Sequence, residues 1–326
     1  MNIVYLVLGL MALIIGAQLV VRFGSALARR LNMSPIIIGL TIVSIGTSLP
    51  EFAVSVQGMV IGSGDLVLGN IVGTNIVNLL LILGLAGLIR PIDIHHGTLK
   101  LDLPAMVVAS LLLWVVAMWD GDLTTIEGAI LLAFGIAYIW RVIATARSRN
   151  VLVNGAEPEH EFDNKPLHPG KKYALLDVGL LLIGLVIIVV GAEFMVDGAV
   201  GLAKNLGLSE TLIGLTVVAI GTSAPELATT IMSTIRGERS IAIGNLIGSS
   251  TLNLTIILGG ALMFGPFSIP IDHSLIFFDL PIMVGVAVAC VPIFILGKNV
   301  NRIEGALMVG AYLAYLTFLI VKATTG

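Results

Sequence analysis

Two six-residue stretches hold the side chains best suited to chemistry: Gly46-Thr47-Ser48-Leu49-Pro50-Glu51 and Gly221-Thr222-Ser223-Ala224-Pro225-Glu226. Each lies in an apolar run, from about Ser34 to Val60 and from about Ser209 to Thr234, long enough to cross a bilayer as a helix. Pro50 and Pro225 have no N–H to donate and their rings crowd the preceding turn, so each helix is expected to open there. Glu51 and Glu226 put a carboxylate near the middle of the membrane, at a cost of roughly 2.5–3.5 kcal/mol or more when charged. Irregular backbone at that depth is tolerated only where it is buried in protein or lines a cavity. Freed carbonyls, with the neighbouring threonine and serine hydroxyls, make a cluster of hard oxygen donors around one negative charge. That is the chemistry that binds Na⁺ or Ca²⁺. Two such stretches at matching depths predict one site built from two halves.

The elements that must hold these stretches are helices. The chain has 326 residues, 57% hydrophobic and 11% charged, against about 45–50% and 25% for a soluble domain. It reads as an all-α integral membrane protein. The formal net charge of −3 gives no basic character for nucleic acid. Cys290, the single cysteine, excludes an internal disulfide and reads as a small core residue. The first apolar run, from Ile3 to about Val21, lacks a basic flank and a cleavage site and reads as a transmembrane helix.

Apolar runs predict ten spans, at about 2–27, 34–60, 65–89, 101–119, 124–144, 173–197, 209–235, 240–264, 275–296 and 302–323. The polar segment 145–172 reads as a solvated linker between residues 1–144 and 173–326. Its His160 and His168 could bind a metal, but a disordered hinge is the simpler reading. Lys and Arg gather at the odd-numbered connections: Arg22, Arg29 and Arg30; Arg90 and Lys100; Arg141 and the linker; Arg236 and Arg239; Lys298 and Arg302. The positive-inside rule makes those connections and the linker cytoplasmic, with both termini outside. Trp119, Trp140 and Tyr173 fit interfacial anchors.

The chain repeats. An offset of 175 carries Glu51 to Glu226, Gly16-Ala17 to Gly191-Ala192, Gly69-Asn70 to Gly244-Asn245, and Asn78 to Asn253. A further two-residue shift carries Pro104 to Pro281 and Glu127-Gly128 to Glu304-Gly305. Each half then holds five helices, and an odd number inserts the second half upside down. Inverted repeats with broken helices meeting at the midplane are the architecture of secondary transporters.

The third and eighth spans supply further site candidates. Asn70, Thr74 and Asn78 share one helix face, as do Asn245, Ser249 and Asn253. Asn78 and Asn253 sit level with the glutamates and read as ligands. For Asn70, Asn75 and Asn245 a ligand role and simple helix–helix glue are equally weighted. Gly69 with Gly73, and Gly244 with Gly248, form small-xxx-small pairs for close helix approach. Asp102, Asp279, Glu193 and Asp197 lie near helix ends and read as structural; Asp120, Asp122, Glu127 and Glu304 read as solvated.

The paired Gly-Thr-Ser-x-Pro-Glu motifs, each followed by Gly-Asn-x-x-Gly-[Thr/Ser], resemble the two α-repeats of the cation/Ca²⁺ exchanger superfamily, in particular its prokaryotic Na⁺/Ca²⁺ antiporters. The resemblance covers essentially the whole chain. It implies a ten-helix fold with four ion sites in a diamond, one selective for Ca²⁺ and the others for Na⁺. Carried onto this chain, Glu51, Glu226, Thr47 and Thr222 would bind Ca²⁺. The backbone of Ser44 and Ala219, with Thr74 and Ser249, would complete outer Na⁺ sites. Ser48, Ser223, Asn78 and Asn253 would line the centre, and the first and sixth helices would slide across the rest as gates. Asn253 stands where well-described members carry an aspartate, leaving two core carboxylates instead of three. No additional acid follows Gly69-Asn70 or Gly244-Asn245, which makes the proton-coupled branch less similar.

The expected activity is therefore secondary antiport of Na⁺ against Ca²⁺ across the cytoplasmic membrane, by alternating access. The expected partners are those ions and membrane lipid; no cofactor and no obligate protein partner is evident, and H⁺ or K⁺ coupling stays open. H⁺/Ca²⁺ exchange is the first rival. A cation channel is the second, although it needs no inverted repeat. An intramembrane enzyme is disfavoured, because Ser48 and Ser223 have no midplane His base and no His-Glu-x-x-His or paired aspartates occur.

Overall fold

The computed structural model describes residues 2–31, 33–93, 98–150, 173–205, 219–297 and 299–325. In chain order its helices are α1 (Asn2–Arg30), α2 (Pro35–Thr47), α3 (Leu49–Val60), α4 (Gly64–Ile89), α5 (Leu103–Asp120), α6 (Thr125–Asn150) and α7 (Ala174–Asn205). There follow α8 (Ala219–Thr222), α9 (Ala224–Ile235), α10 (Arg239–Ala261), α11 (Leu275–Gly297) and α12 (Arg302–Thr325). Among the described residues eight helices are long and apolar enough to cross a membrane, and the bent pair α2–α3 makes a ninth span. The first part of the expected seventh span, 209–218, lies outside the described residues, as do linker residues 151–172 with His160 and His168. The expected linker begins later than residue 145, because α6 continues to Asn150. Ala144, Ala146, Arg147 and Arg149 are good helix formers, so the helix continues once it leaves the apolar layer.

Burial sorts these helices into a centre and a rim. The most apolar stretch of α10 is 94% buried and that of α4 78%, whereas in α12 the share is 17%. The two helices carrying the asparagine faces are thus enclosed, and the outer helices turn apolar side chains such as Ile303 and Leu307 outward. Trp119 and Trp140 are exposed, as interfacial anchors would be. Along α1 and α7, which lie antiparallel, Gly9 abuts Met195 and Gly191, and Gly16 abuts Gly184 and Ile188. Those glycines bring the two backbones into near contact.

Matched devices recur at the two ends of the molecule. Strand β1 (Ile92–Asp93) pairs antiparallel with β4 (Asn299–Val300), Ile92 facing Val300. Strand β2 (Asp122–Thr124) pairs with β3 (Ser268–Pro270), Leu123 facing Ile269, which are the same two partners displaced by 177. Tyr138 donates to Asp102 at 3.2 Å and Tyr315 to Asp279 at 2.7 Å. Gly62 and Gly237 take φ of +72° and +77° to end α3 and α9, each followed by an N–H bonded five residues back, Ser63 to Gly58 and Glu238 to Ser233.

Glu127 and Glu304, expected to be solvated, instead cap helices: they accept from the backbone N–H of Thr124 and Asn301 at 2.7 and 2.8 Å. A carboxylate three residues past a helix start satisfies an orphan N–H there. Asp122 likewise accepts from Ser268.

The connections sort by end. Arg29 pairs with Glu238, Arg30 with Asp177 and Arg239 with Asp93, so with β1–β4 the odd-numbered connections meet at one end. The pair β2–β3 and the bond from Asp272 N–H to Asp65 at 2.7 Å gather even-numbered connections at the other.

Close glycine contacts set the helix separations. A Cβ on Gly259 would lie 2.7 Å from Gly128 O, and one on Gly84 2.9 Å from Gly305 O, while Gly285 has no neighbour within 4 Å. Gly259→Ala and Gly84→Ala should each destabilise the protein by roughly 1–3 kcal/mol through backbone displacement. Gly285→Ala should be near neutral. Thermal unfolding in detergent checks this; equal melting temperatures for all three would contradict the packing.

Candidate cation-binding site

The site begins where two helices break. Ser48 leaves the helical path between α2 and α3 with φ −85° and ψ 8°, and the two segments bend by 44°. Ser223 does the same between α8 and α9, with φ −85° and ψ 7°. Pro50 cannot donate to Gly46, nor Pro225 to Gly221. Each break exposes the carbonyl end of one helix and the N-terminal turn of the next. Glu51 and Glu226 sit in those first turns, where the positive end of the helix dipole favours a carboxylate.

Both glutamates are fully buried, and Ser48, three residues before Glu51, reaches the carboxylate of Glu226. The Oε1 of Glu226 accepts from Ser48 at 3.3 Å and from Ser249 at 3.4 Å. Ser48 belongs to the first half of the chain and Ser249 to the second, so one carboxylate oxygen joins both. Thr47 donates to Asn245 Oδ1 at 3.2 Å and lies 3.4 Å from Ser249 Oγ. Ser44 donates to the carbonyl of Gly39 at 2.6 Å and contacts that of Asn245 at 3.0 Å, tying α2 to α10. That approach depends on Gly244 and Gly248, where a Cβ would fall 2.5 Å from Ile36 O and 2.4 Å from Ser44 Oγ. Gly69 and Gly73 touch no described residue this closely.

Asn78 and Asn253 lie in short π-helical turns, Val77–Ile82 and Asn253–Ile257, an irregularity frequent at functional sites. Both are fully buried, and neither atom of either amide has a hydrogen-bond partner. The same holds for both carboxylate oxygens of Glu51, for Oε2 of Glu226 and for Ser223 Oγ. Buried polar atoms are nearly always satisfied, so a cluster of orphan oxygens around two acids marks a place for a cation. Thr74 is buried on α4, Thr222 ends α8 and Ala219 begins it. Among the described residues no three His, Cys, Asp or Glu side chains cluster; the charge available to a cation comes from two acids.

The halves are matched in residues but not in bonding. Ser223 and Thr74 are the counterparts of Ser48 and Ser249, yet Ser223 Oγ has no partner and Glu51 accepts from neither. Asn70 instead donates to the Glu51 carbonyl at 3.4 Å. Asn75 turns back to Ile71 O at 2.8 Å, a bond within its own helix. Two further residues belong here that sequence reasoning passed over. Ser55 and Thr230 lie one turn beyond each glutamate at the same offset, both fully buried, and Thr230 accepts from Asn245 at 3.4 Å. Their i+4 spacing from the acids was the available signal. Glu193 and Asp197 are exposed on α7.

The sequence model of the family described as sodium/calcium exchanger protein matches residues 1–144 and 176–321. Inner membrane protein YrbG of Escherichia coli is 36% identical over 96% of this chain and 95% of its own length. Sodium/calcium exchanger MaX1 of Methanosarcina acetivorans is 31% identical over 98% of both. A solved structure of the sodium-calcium exchanger NCX_Mj, soaked with Na⁺ and Ca²⁺, superposes with a TM-score of 0.81 at 27% identity over 97% of each chain.

A cation held by Glu51 and Glu226 should raise thermal stability, by about 2.7 kcal/mol at a hundredfold excess over the dissociation constant. Ca²⁺ should therefore shift the melting of the wild type and not of E51Q/E226Q. In chelator without Na⁺, E51Q should be at least as stable as the wild type, because the substitution removes an uncompensated buried charge. An unchanged Ca²⁺ shift in the double variant would remove both acids from the site.

Proposed function

Because the chain belongs to the sodium/calcium exchanger family, we propose that it is a secondary antiporter that moves Na⁺ one way and Ca²⁺ the other by alternating access. The observation that carries the reading is the set of buried, unpartnered oxygens on Glu51, Glu226, Asn78 and Asn253, with the two acids standing at the breaks of two helices. Ca²⁺ and Na⁺ take oxygen ligands of this mixed kind, carboxylate, amide carbonyl, hydroxyl and backbone. In this reading Thr47, Thr222, Ser48 and Ser223 complete the central shell. Thr74, Ser249 and the carbonyls of Ser44 and Ala219 extend it on either side.

The mechanism follows from charge. Without a cation the two carboxylates repel and resist leaving water, so a closed, dry pore around them is unfavourable. One Ca²⁺ or two Na⁺ cancels their charge, and each further Na⁺ adds one uncompensated positive charge. Closure requires a cation without specifying which, and that couples the two fluxes. The different hydrogen bonding of Glu51 and Glu226 supports the reading, since alternating access needs matched halves in unequal states. In this reading the expected seventh span, to which α8 and α9 belong, completes ten helices in two inverted sets of five. The basic end of the molecule then faces the cytoplasm, with both termini outside. A cytoplasmic-membrane location accords with the inner-membrane relative in Escherichia coli.

In reconstituted vesicles, an imposed Na⁺ gradient should drive Ca²⁺ uptake by the wild type, and uptake should fall to background in E51Q and in E226Q. Uptake driven by a pH gradient without Na⁺ would replace this reading with H⁺/Ca²⁺ exchange. Flux without any counter-ion would replace it with a channel.

A further inference from the structure

At the arginine-rich end of the molecule a cleft of about 260 Å³ opens between the last turns of α1 and the end of α9. Arg22, Ser25 and Arg29 line one wall; Ile235, Arg236 and Glu238 line the other. The first three share a face of α1, at positions i, i+3 and i+7. Three guanidinium groups meet one carboxylate there. Glu238 is 3.8 Å from Arg29, and Arg22 and Arg236 have no acidic partner among the described residues. That sets them apart from nearby Arg30 and Arg239, which are paired with Asp177 and Asp93. A fourth cation lies close by, with Arg90 Nη1 3.6 Å from the Cβ position of Gly237. Ser25 is 1% exposed and its hydroxyl has no partner, although a helical serine ordinarily bonds the carbonyl one turn back. The cleft thus offers two unpaired guanidinium groups and one unused hydroxyl donor.

We propose that this cleft binds the phosphate of an anionic membrane phospholipid. Guanidinium forks and a hydroxyl match phosphate oxygens, and basic pockets between spanning helices at the cytoplasmic surface suit such headgroups. A lipid fits better than a free anion because the phosphate position continues into an apolar surface. Ile235 is 58% exposed at the cleft, and Ile15, two turns below Arg22 on the same face of α1, is 54% exposed. An acyl chain hanging from the bound phosphate would run along them. The chain's internal repeat does not dictate this cleft. The counterparts of Arg22 and Arg236 in the other half are Asp197 and Ile61, so the basic cleft exists on one side only. The lipid would bridge α1 to the end of α9, whose first turn holds Glu226.

The test reads binding and needs no transport activity, so it stands apart from the exchange reading. Purified protein in detergent is titrated with phosphatidylglycerol, with phosphatidylcholine of the same chains, and with inorganic phosphate, and native mass spectrometry counts bound molecules. One phosphatidylglycerol should be retained in preference to phosphatidylcholine, and R22Q/R236Q should bind it about thirtyfold more weakly. R302Q, at another connection of the same end, should behave as wild type. R22K/R236K should recover much of the affinity, which separates lost charge from lost fold. Equal retention by wild type and R22Q/R236Q, equal retention of phosphatidylcholine, or phosphate binding as tight as the lipid would each overturn the proposal.

Discussion

Two carboxyl groups in a medium that cannot solvate their charge are the constraint on which the rest of this structure depends. Glu51 and Glu226 are fully buried, and Ser48, three residues before the first, donates to the second. Near a protein surface such a pair would be screened; in a dry interior it is not. Every nearby feature bears on that problem. The helix breaks aim two N-terminal dipoles at the carboxylates. Ser48 and Ser249 donate to Glu226. Among what the protein's own groups leave unsatisfied are the oxygens of Glu51, Asn78 and Asn253 and one of Glu226, and a cation would neutralise the charge they carry.

Close packing makes the arrangement possible. The site needs α2 and α10 near enough for Ser44 and Thr47 to reach Asn245, and glycines at 244 and 248 let the backbones meet. Elsewhere the two halves are joined twice by the same device in opposite orientation, Ile92 to Val300 and Leu123 to Ile269, and each half carries the same internal tie, Tyr138 to Asp102 and Tyr315 to Asp279. Each short sheet ties one half to the other at one end of the molecule. The hydrogen bonds around the glutamates do not repeat in this way. The framework is thus nearly symmetric and the centre is not.

Much of this was legible in the residues because the physics is local. Proline without an N–H predicted the breaks, and they fall at Ser48 and Ser223, two residues before Pro50 and Pro225. Length and hydropathy gave the spans that the structure describes to within a few residues, except where α6 runs on to Asn150 and α7 to Asn205. What was not legible depends on tertiary neighbours. Asn245 was balanced between glue and ligand, and only the fold shows it bonding Thr47 and Thr230 at once. Glu127 and Glu304 looked solvated until the turns they cap were seen. The ion pairs of Arg30 with Asp177 and Arg239 with Asp93 join residues too far apart in sequence for spacing to reveal.

The central claim is that one cation is shared by an acid from each half. It is tested most directly by diffraction from crystals soaked in Sr²⁺, whose anomalous signal locates the ion without assumptions about its ligands. The account predicts one dominant peak bonded to carboxylate oxygens of both Glu51 and Glu226, at about the 2.3–2.6 Å usual for Ca²⁺, slightly longer for the larger ion. Separate peaks at the two glutamates, or a dominant peak that touches neither, would contradict it.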